Sequence, residues 1–385
     1  MALKAKNSFS GVDISEIRKM NALAKKDTIN LGIGQLPDSL PSAVMERGID
    51  AFKEGQTRYT SNQGSPDLRE LVASYHSRKS GREISASQVV ITNGAEGALW
   101  NILFTYLDKG EEILIPEIAF SVYNTIADLQ GARAVTYKQA DDFSIDFDDL
   151  EEKLNGNVKF LVINSPNNPT GTILSEDNIR RLCDLAEKQD FYIISDEIYS
   201  ELYFGKIKPF TPLCCSDRVI VVDGISKRAA ATGLRIGWTL SSEEISKPMI
   251  VANQYITTCA ASVSQYAALS SLDGSSDGFI ENVKNELRAK AEYAYQFLKN
   301  IEGLKVVKPE GAFYIFPDVS ALGTSKEVAL KILDKVNVLT IPGMAFGARG
   351  DKHIRISFAV DFDVLKESLN RIKDLINNWN EYECK

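Results

Sequence analysis

The chain is poor in the residues that carry metal and disulfide chemistry. It has two histidines, His76 and His353, in 385 residues. Its five cysteines, Cys183, Cys214, Cys215, Cys259 and Cys384, form no C-x-x-C pair and no zinc-ligand spacing. A His-rich metal centre is thereby excluded, no metal is expected, and proton transfer falls to lysine or carboxylate. Adjacent Cys214 and Cys215 would make a strained bridge, so free thiols in a reducing compartment are expected. No block of lysine and arginine occurs and the formal net charge is −8, so nucleic acid is not an expected partner. The sequence also lacks a signal-peptide pattern and any apolar run of bilayer length, which predicts a soluble, cytoplasmic protein with no membrane association.

What is present is an ordinary globular composition, 44% hydrophobic and 25% charged, with length enough for a large core. Ser15 is placed to cap a helix whose stripe is Ile17, Met20, Leu23 and Ala24. From residue 88, short β-rich runs at 89–92, 112–115, 134–137, 159–163, 192–194 and 219–222 alternate with helical segments. That alternation predicts an α/β fold: a three-layer large domain whose mostly parallel sheet has helices on both faces. Residues 239–280 read as a long helical region with a loop at 274–278. A helix over 281–298 then leads into a smaller α+β domain, with strands expected at 311–317 and 354–358. The expected boundaries are 1–44 for an arm and part of the small domain, 45–280 for the large domain and 281–385 for the small one.

Ligands of open α/β sheets sit at the carboxyl ends of strands, and unusual residues cluster there. After the 219–222 run comes Gly224-Ile225-Ser226-Lys227-Arg228-Ala229-Ala230-Ala231-Thr232-Gly233-Leu234-Arg235-Ile236-Gly237. A lysine amine condenses with an aldehyde once burial or a neighbouring cation suppresses its charge. Ser226 and Arg235 suit a phosphate, and the small residues allow close approach. After 192–194 comes Asp196-Glu197-Ile198-Tyr199, where a carboxylate ending an apolar strand is costly without a cation beside it. A protonated pyridine nitrogen is such a cation; capping the next helix is the structural alternative. Asn93-Gly94-Ala95-Glu96 joins a strand to a helix, an arrangement whose free N–H groups bind anions. Further on, Arg355 stands between Ile354 and Ile356, poorly placed for a solvated face but with a fork suited to a carboxylate.

The pattern from Gly224 to Gly237, with the other motifs in the same order, resembles the class I and II pyridoxal-phosphate aminotransferases of fold type I, over roughly residues 15 to 375. The resemblance implies pyridoxal 5′-phosphate as cofactor, held by Lys227 as an internal aldimine. It implies Asp196 on the ring nitrogen and Asn168 and Tyr199 on the phenolic oxygen. Phe120 would stack on the ring, although core filling is an alternative role for it. Gly94, Ala95, Glu96, Ser226 and Arg235 would surround the phosphate. Tyr59, otherwise a packing residue, would reach the phosphate of a neighbouring subunit, giving a homodimer with shared active sites. Gly34, Asn168 and Arg355 would bind the substrate, Arg355 through its α-carboxylate. The implied reaction moves an amino group between an L-amino acid and a 2-oxo acid, with Lys227 carrying the proton.

Aspartate-preferring bacterial relatives carry a lysine where Glu96 stands, and others use an arginine that Ala252-Asn253-Gln254-Tyr255 does not supply. Neutral or aromatic donors are therefore expected. A carbon–sulfur β-lyase using the same lysine and aspartate is the alternative activity. A non-catalytic regulator is a third, disfavoured by the short N-terminal arm and the acidic charge.

Overall fold

In the computed structural model the described residues are 3, 5, 7–9 and 11–382; Cys384 lies outside them. Seven strands form one sheet: β1 Val89–Thr92, β2 Glu112–Pro116, β3 Arg133–Tyr137, β4 Val158–Asn164, β5 Tyr192–Asp196, β6 Val219–Gly224 and β7 Gly237–Leu240. Their order is β1-β7-β6-β5-β4-β2-β3. All pairings are parallel except those of β7, which runs antiparallel to β1 and β6.

The apolar runs read as continuous because both faces of the sheet are covered. Successive side chains leave a strand on opposite sides, so Phe160 and Val162 of β4 enter one core while Leu161 and Ile163 enter another. Helices Gly94–Tyr106, Val122–Gln130 and Glu243–Thr257 close the first core through Leu99, Ile102, Ile126 and Met249. Helices Pro66–Ser80, Glu176–Gln189 and Ser262–Leu269 close the second through Leu68, Leu182 and Leu269. The result is the three-layer α/β architecture.

Residues 239–280 differ from the expected long helical region. Strand β7 occupies its start, and two helices follow, Glu243–Thr257 and Ser262–Leu269. The break has a backbone cause: Thr258 takes a positive φ of 65°, which no helix accommodates. The next helix, Asp277–Leu298, starts four residues before 281 and takes up the end of the expected 274–278 loop.

The second unit is built on three short antiparallel strands, with Ile354–Ser357 between Ile341–Pro342 and Tyr314–Ile315. The strand expected at 311–317 contracts to two residues, preceded by Ala312 at a φ of 56°. Ile29–Asn30 pairs in parallel with Val338–Leu339, so the N-terminal segment completes this unit. Helix Ser325–Val336, opened by a Thr324/Glu327 capping box, and helix Phe362–Asn377 cover it.

Strand ends at one edge are tied together. Asn164 and Asp196 are register partners on β4 and β5. The Asn164 amide donates to the Asp196 carbonyl (3.0 Å) while its carbonyl oxygen accepts from the Asn168 N–H (2.8 Å), holding the 165–168 turn over the sheet edge.

Leu161 has no exposed surface, and it packs between β4 and the helices of the second core. Leu161→Ala is expected to remove about 2–5 kcal/mol of stability, read as a lower urea midpoint. A midpoint unchanged from the parent would contradict this description of the core.

Candidate active site

Strand β6 ends at Gly224, and a single helical turn, Ile225–Arg228, carries Lys227 across the sheet edge. The turn sits low because glycines permit it: a Cβ on Gly237 would lie 2.4 Å from the Gly94 carbonyl carbon and 2.5 Å from the Ala95 nitrogen. Lys227 Nζ donates to the Gly34 carbonyl at 2.6 Å. It lies 5.8 Å from the Tyr199 ring centre and 6.0 Å from that of Phe313. Burial, followed by the Arg355 and Arg235 cations, pushes the amine down to about 8, against the opposing pull of Asp196. A neutral amine, the nucleophilic form, is thus accessible near neutral pH.

Asp196 is buried at the end of β5. Its Oδ2 accepts from the Tyr123 hydroxyl at 2.7 Å and its Oδ1 from the Ile198 N–H at 3.2 Å, yet it makes no ion pair among the described residues. Burial pushes the carboxyl up to about 6, the two hydrogen bonds working the other way. Tyr199 is buried beside it and shares a hydrogen bond of 3.0 Å with the Tyr314 hydroxyl. Phe120 is half-buried and meets Tyr123 edge-on at 6.1 Å.

The turn after β1 forms a third side. Gly94 has a φ of 76° and opens the helix Gly94–Tyr106, with Ala95 and exposed Glu96 in the first turn. The Arg235 guanidinium packs onto this turn so closely that a Cβ on Gly94 would lie 2.4 Å from Nη2. Arg235 itself takes a φ of 53°, and its Nη1 donates to the Thr232 carbonyl at 3.0 Å. Ser226 is buried one residue before the lysine.

Arg355 enters from the smaller unit, 2% exposed. Its Nη1 donates to Asn168 Oδ1 at 2.9 Å and its Nη2 to the Gly32 carbonyl at 2.7 Å, while Nε has no partner. The guanidinium lies 4.4 Å from the Tyr314 ring centre and 5.0 Å from that of Phe346, and no carboxylate pairs with it among the described residues. A buried guanidinium held only by neutral oxygens and ring faces is suited to receive a carboxylate.

These features fit a phosphorylated pyridine aldehyde: a desolvated amine, an unpaired buried carboxylate, and an arginine set on a helix N-terminus. The structure brings together Gly34, Gly94, Ala95, Asn168, Asp196, Tyr199, Ser226, Lys227, Arg235 and Arg355, with Phe120 and Glu96 at the margin. Tyr59 stands apart, 87% exposed. Tyr123, Tyr314 and Phe346 join the site although no motif in the sequence marks them. Tyr123 has one legible signal, its place three residues after Phe120 where a helix begins after a strand end.

The depressed amine has a consequence for stability. An unfolded lysine titrates near 10.5. Between about 8 and 10.5 the unfolded chain therefore binds more protons than the folded one, and stability rises with pH across that window. Below it the penalty is fully present. In cofactor-free protein, Lys227→Met is expected to flatten the rise of the denaturation midpoint between about pH 8 and pH 10. Identical slopes in parent and variant would contradict a desolvated amine.

Comparison with known proteins agrees with this chemistry. The family described as aminotransferase class I and II matches residues 26–372. A probable aspartate aminotransferase of Methanocaldococcus jannaschii is 36% identical over 367 residues, 94% of this chain and 96% of that protein. Aromatic-amino-acid aminotransferase 2 of Thermococcus litoralis is 33% identical over 376 residues, 95% of this chain and 96% of the relative. The solved structure of the Thermus thermophilus aspartate aminotransferase with maleate superposes with a TM-score of 0.93 at 28% identity, over 97% of this chain and all of that one. The chain belongs to the class I and II aminotransferases, the pyridoxal-phosphate-dependent transaminases of fold type I.

Proposed function

We propose that the enzyme transfers the amino group of a neutral or aromatic L-amino acid to a 2-oxo acid, with Lys227 and Arg355 as the two poles of its site. The observation that carries this is the pairing of a desolvated amine with a buried, carboxylate-free guanidinium across the Gly32–Gly34 loop. Pyridoxal phosphate, when bound, supplies a carbonyl for capture of the amino group and a ring that accepts electrons. Arg355 takes the α-carboxylate and so fixes which bond at the α-carbon faces the reacting centre. Asn168, oriented by Arg355, and Tyr199, backed by Tyr314, present hydrogen bonds on one edge of the ring site. Asp196, with Tyr123 behind it, offers its carboxylate to the ring nitrogen. Lys227 in its neutral form moves the proton at the substrate α-carbon.

Most of the named relatives are aspartate aminotransferases, and one is named for aromatic amino acids. Two features favour the second. Glu96 places a carboxylate in the first turn of the Gly94–Tyr106 helix, the turn that Arg235 packs against, where it would repel a distal acid. Tyr314 and Phe346 lay their rings against the arginine that orients the substrate, so the packing around that group is aromatic.

A soluble, cytoplasmic homodimer completes this reading, with residues 45–280 as the cofactor domain between the 1–44 segment and the 281–385 small domain. Tyr59 is exposed, as are Val251 and Tyr255 on helix Glu243–Thr257. The Asn253 amide donates to the Asn62 carbonyl at 2.6 Å, which sets the Tyr59 loop beside that helix. Such a patch suits a second copy of the chain, to whose phosphate site Tyr59 would contribute.

The test is an absorption titration of the holoenzyme with single L-amino acids and no 2-oxo acid. Phenylalanine, tyrosine, methionine and alanine are expected to bleach the visible cofactor band, with aspartate at least about tenfold less efficient. Efficient conversion by aspartate alone would overturn the substrate assignment. Release of pyruvate and ammonia from cystathionine with the band intact would instead reveal a β-lyase.

A further inference from the structure

Each of the two central residues is followed by a charged one that turns the other way. Glu197 follows Asp196, and Arg228 follows Lys227. Consecutive residues of an extended segment face opposite sides, so while Asp196 reaches Tyr123, Glu197 points toward helix Pro66–Ser80. There Lys79 Nζ donates to Glu197 Oε2 at 2.6 Å, and the pair is largely shielded, with side-chain exposures of 14% and 4%. Oε1 of the same carboxylate accepts from Thr211 Oγ1 at 2.6 Å and Ser195 Oγ at 3.1 Å. The Glu197 N–H donates to the Val222 carbonyl at 2.8 Å, which ties this turn to β6, the strand that leads to Lys227.

Further titratable groups pack around this pair, and Tyr75, Glu201 and Arg228 also line a pocket with Arg78, Asp273, Asp277, Glu281 and Lys284. Helix Pro66–Ser80 contributes Tyr75, which donates to Glu201, and His76, whose Nε2 accepts from Trp238 Nε1 at 3.0 Å. The last residues of β6 contribute Asp223, whose Oδ1 accepts from the Gly224 N–H at 2.7 Å and whose Oδ2 lies 3.8 Å from His76 Nε2. Arg228 lies 4.7 Å from the Tyr75 ring centre. Burial pushes His76 well below the usual imidazole range and Asp223 up to about 8, so both lean toward their uncharged forms. Lys79 and Arg228 face the carboxylates Glu197 and Glu201, with Lys284 of helix Asp277–Leu298 also beside Glu201. Lys79 is the cation hydrogen-bonded to Glu197: burial works against its charge, and Glu197, together with Tyr75 and Asp223, more than offsets that.

We propose that Lys79 is a positioning residue for transamination: by pairing with Glu197 it anchors the Asp196 turn from behind the sheet and neutralises a carboxylate adjoining the site. This rests on the family activity and is independent of which amino acid is the donor. Without Lys79, Glu197 would stand as an unpaired buried carboxylate one residue from Asp196, favouring positive charge and disfavouring negative charge nearby. Without Glu197, the unpaired Lys79 would act in the opposite direction.

The test uses Lys79→Met, Lys79→Arg, Glu197→Gln and the double variant, each as holoenzyme, and follows the pH midpoint of the visible band of bound pyridoxal phosphate. Lys79→Met is expected to move the midpoint up by about half a unit and to lower kcat about tenfold with KM little changed. Glu197→Gln is expected to move the midpoint down. Lys79→Arg and the double variant are expected to bring it back toward the parent, because each restores charge balance. A merely structural pair would lower stability in all four without ordering the midpoints by charge. Should Lys79→Met fail to fold, the direction of the Glu197→Gln shift decides alone. Midpoints equal to the parent in every folded variant would overturn the proposal.

Discussion

An ammonium held out of water without a full counter-charge is unstable, and the site is organised by that fact. Lys227 sits among Tyr199, Phe313 and the carbonyl of Gly34, with Arg355 and Arg235 adding positive potential. Its cheapest state is a neutral amine or a covalent link to a carbonyl. The same loop that receives Lys227 at Gly34 receives Arg355 at Gly32, so one short segment bridges the buried lysine and the buried arginine. A substrate held by Arg355 and reacting at Lys227 would bridge the same two residues through its own atoms.

The sheet supplies the rest. Its parallel strands deliver Asn164, Asp196 and Gly224 to one edge, and the pleat assigns alternate residues to alternate faces. Asp196 and Glu197 use that alternation at a strand end, one serving the site and the other the charged set behind it. The antiparallel β7 brings Gly237 against Gly94, so the lysine turn and the turn at Gly94 are brought into contact through backbone alone.

Much of this is legible in the sequence itself. The lysine stretch, the Asp196 strand end and Arg355 between isoleucines each set a costly group in an apolar context, and such a conflict points to function. The parallel strands are legible because β-branched runs buried on both faces leave a continuous apolar signal. Strand β7 is not, since Gly237, Trp238 and Thr239 give no alternation and the helix after them dominates the pattern. Tyr123, Tyr314 and Phe346 escape notice for another reason. An aromatic residue in an apolar segment reads as core, and only folding reveals that a hydroxyl meets Asp196 or that a ring lies against Arg355. The Lys79–Glu197 pair spans 118 positions, and nothing local in a polar helix marks one lysine among its neighbours as buried.

The central claim is that Lys227, and no other lysine, is the covalent seat of the cofactor. It is tested by loading the protein with pyridoxal phosphate, reducing it with borohydride, and mapping the modified peptide by mass spectrometry. A single stoichiometric pyridoxyl group on the peptide containing Lys227, absent in Lys227→Met, is the predicted result. A modification spread over surface lysines, or one retained in that variant, would contradict it.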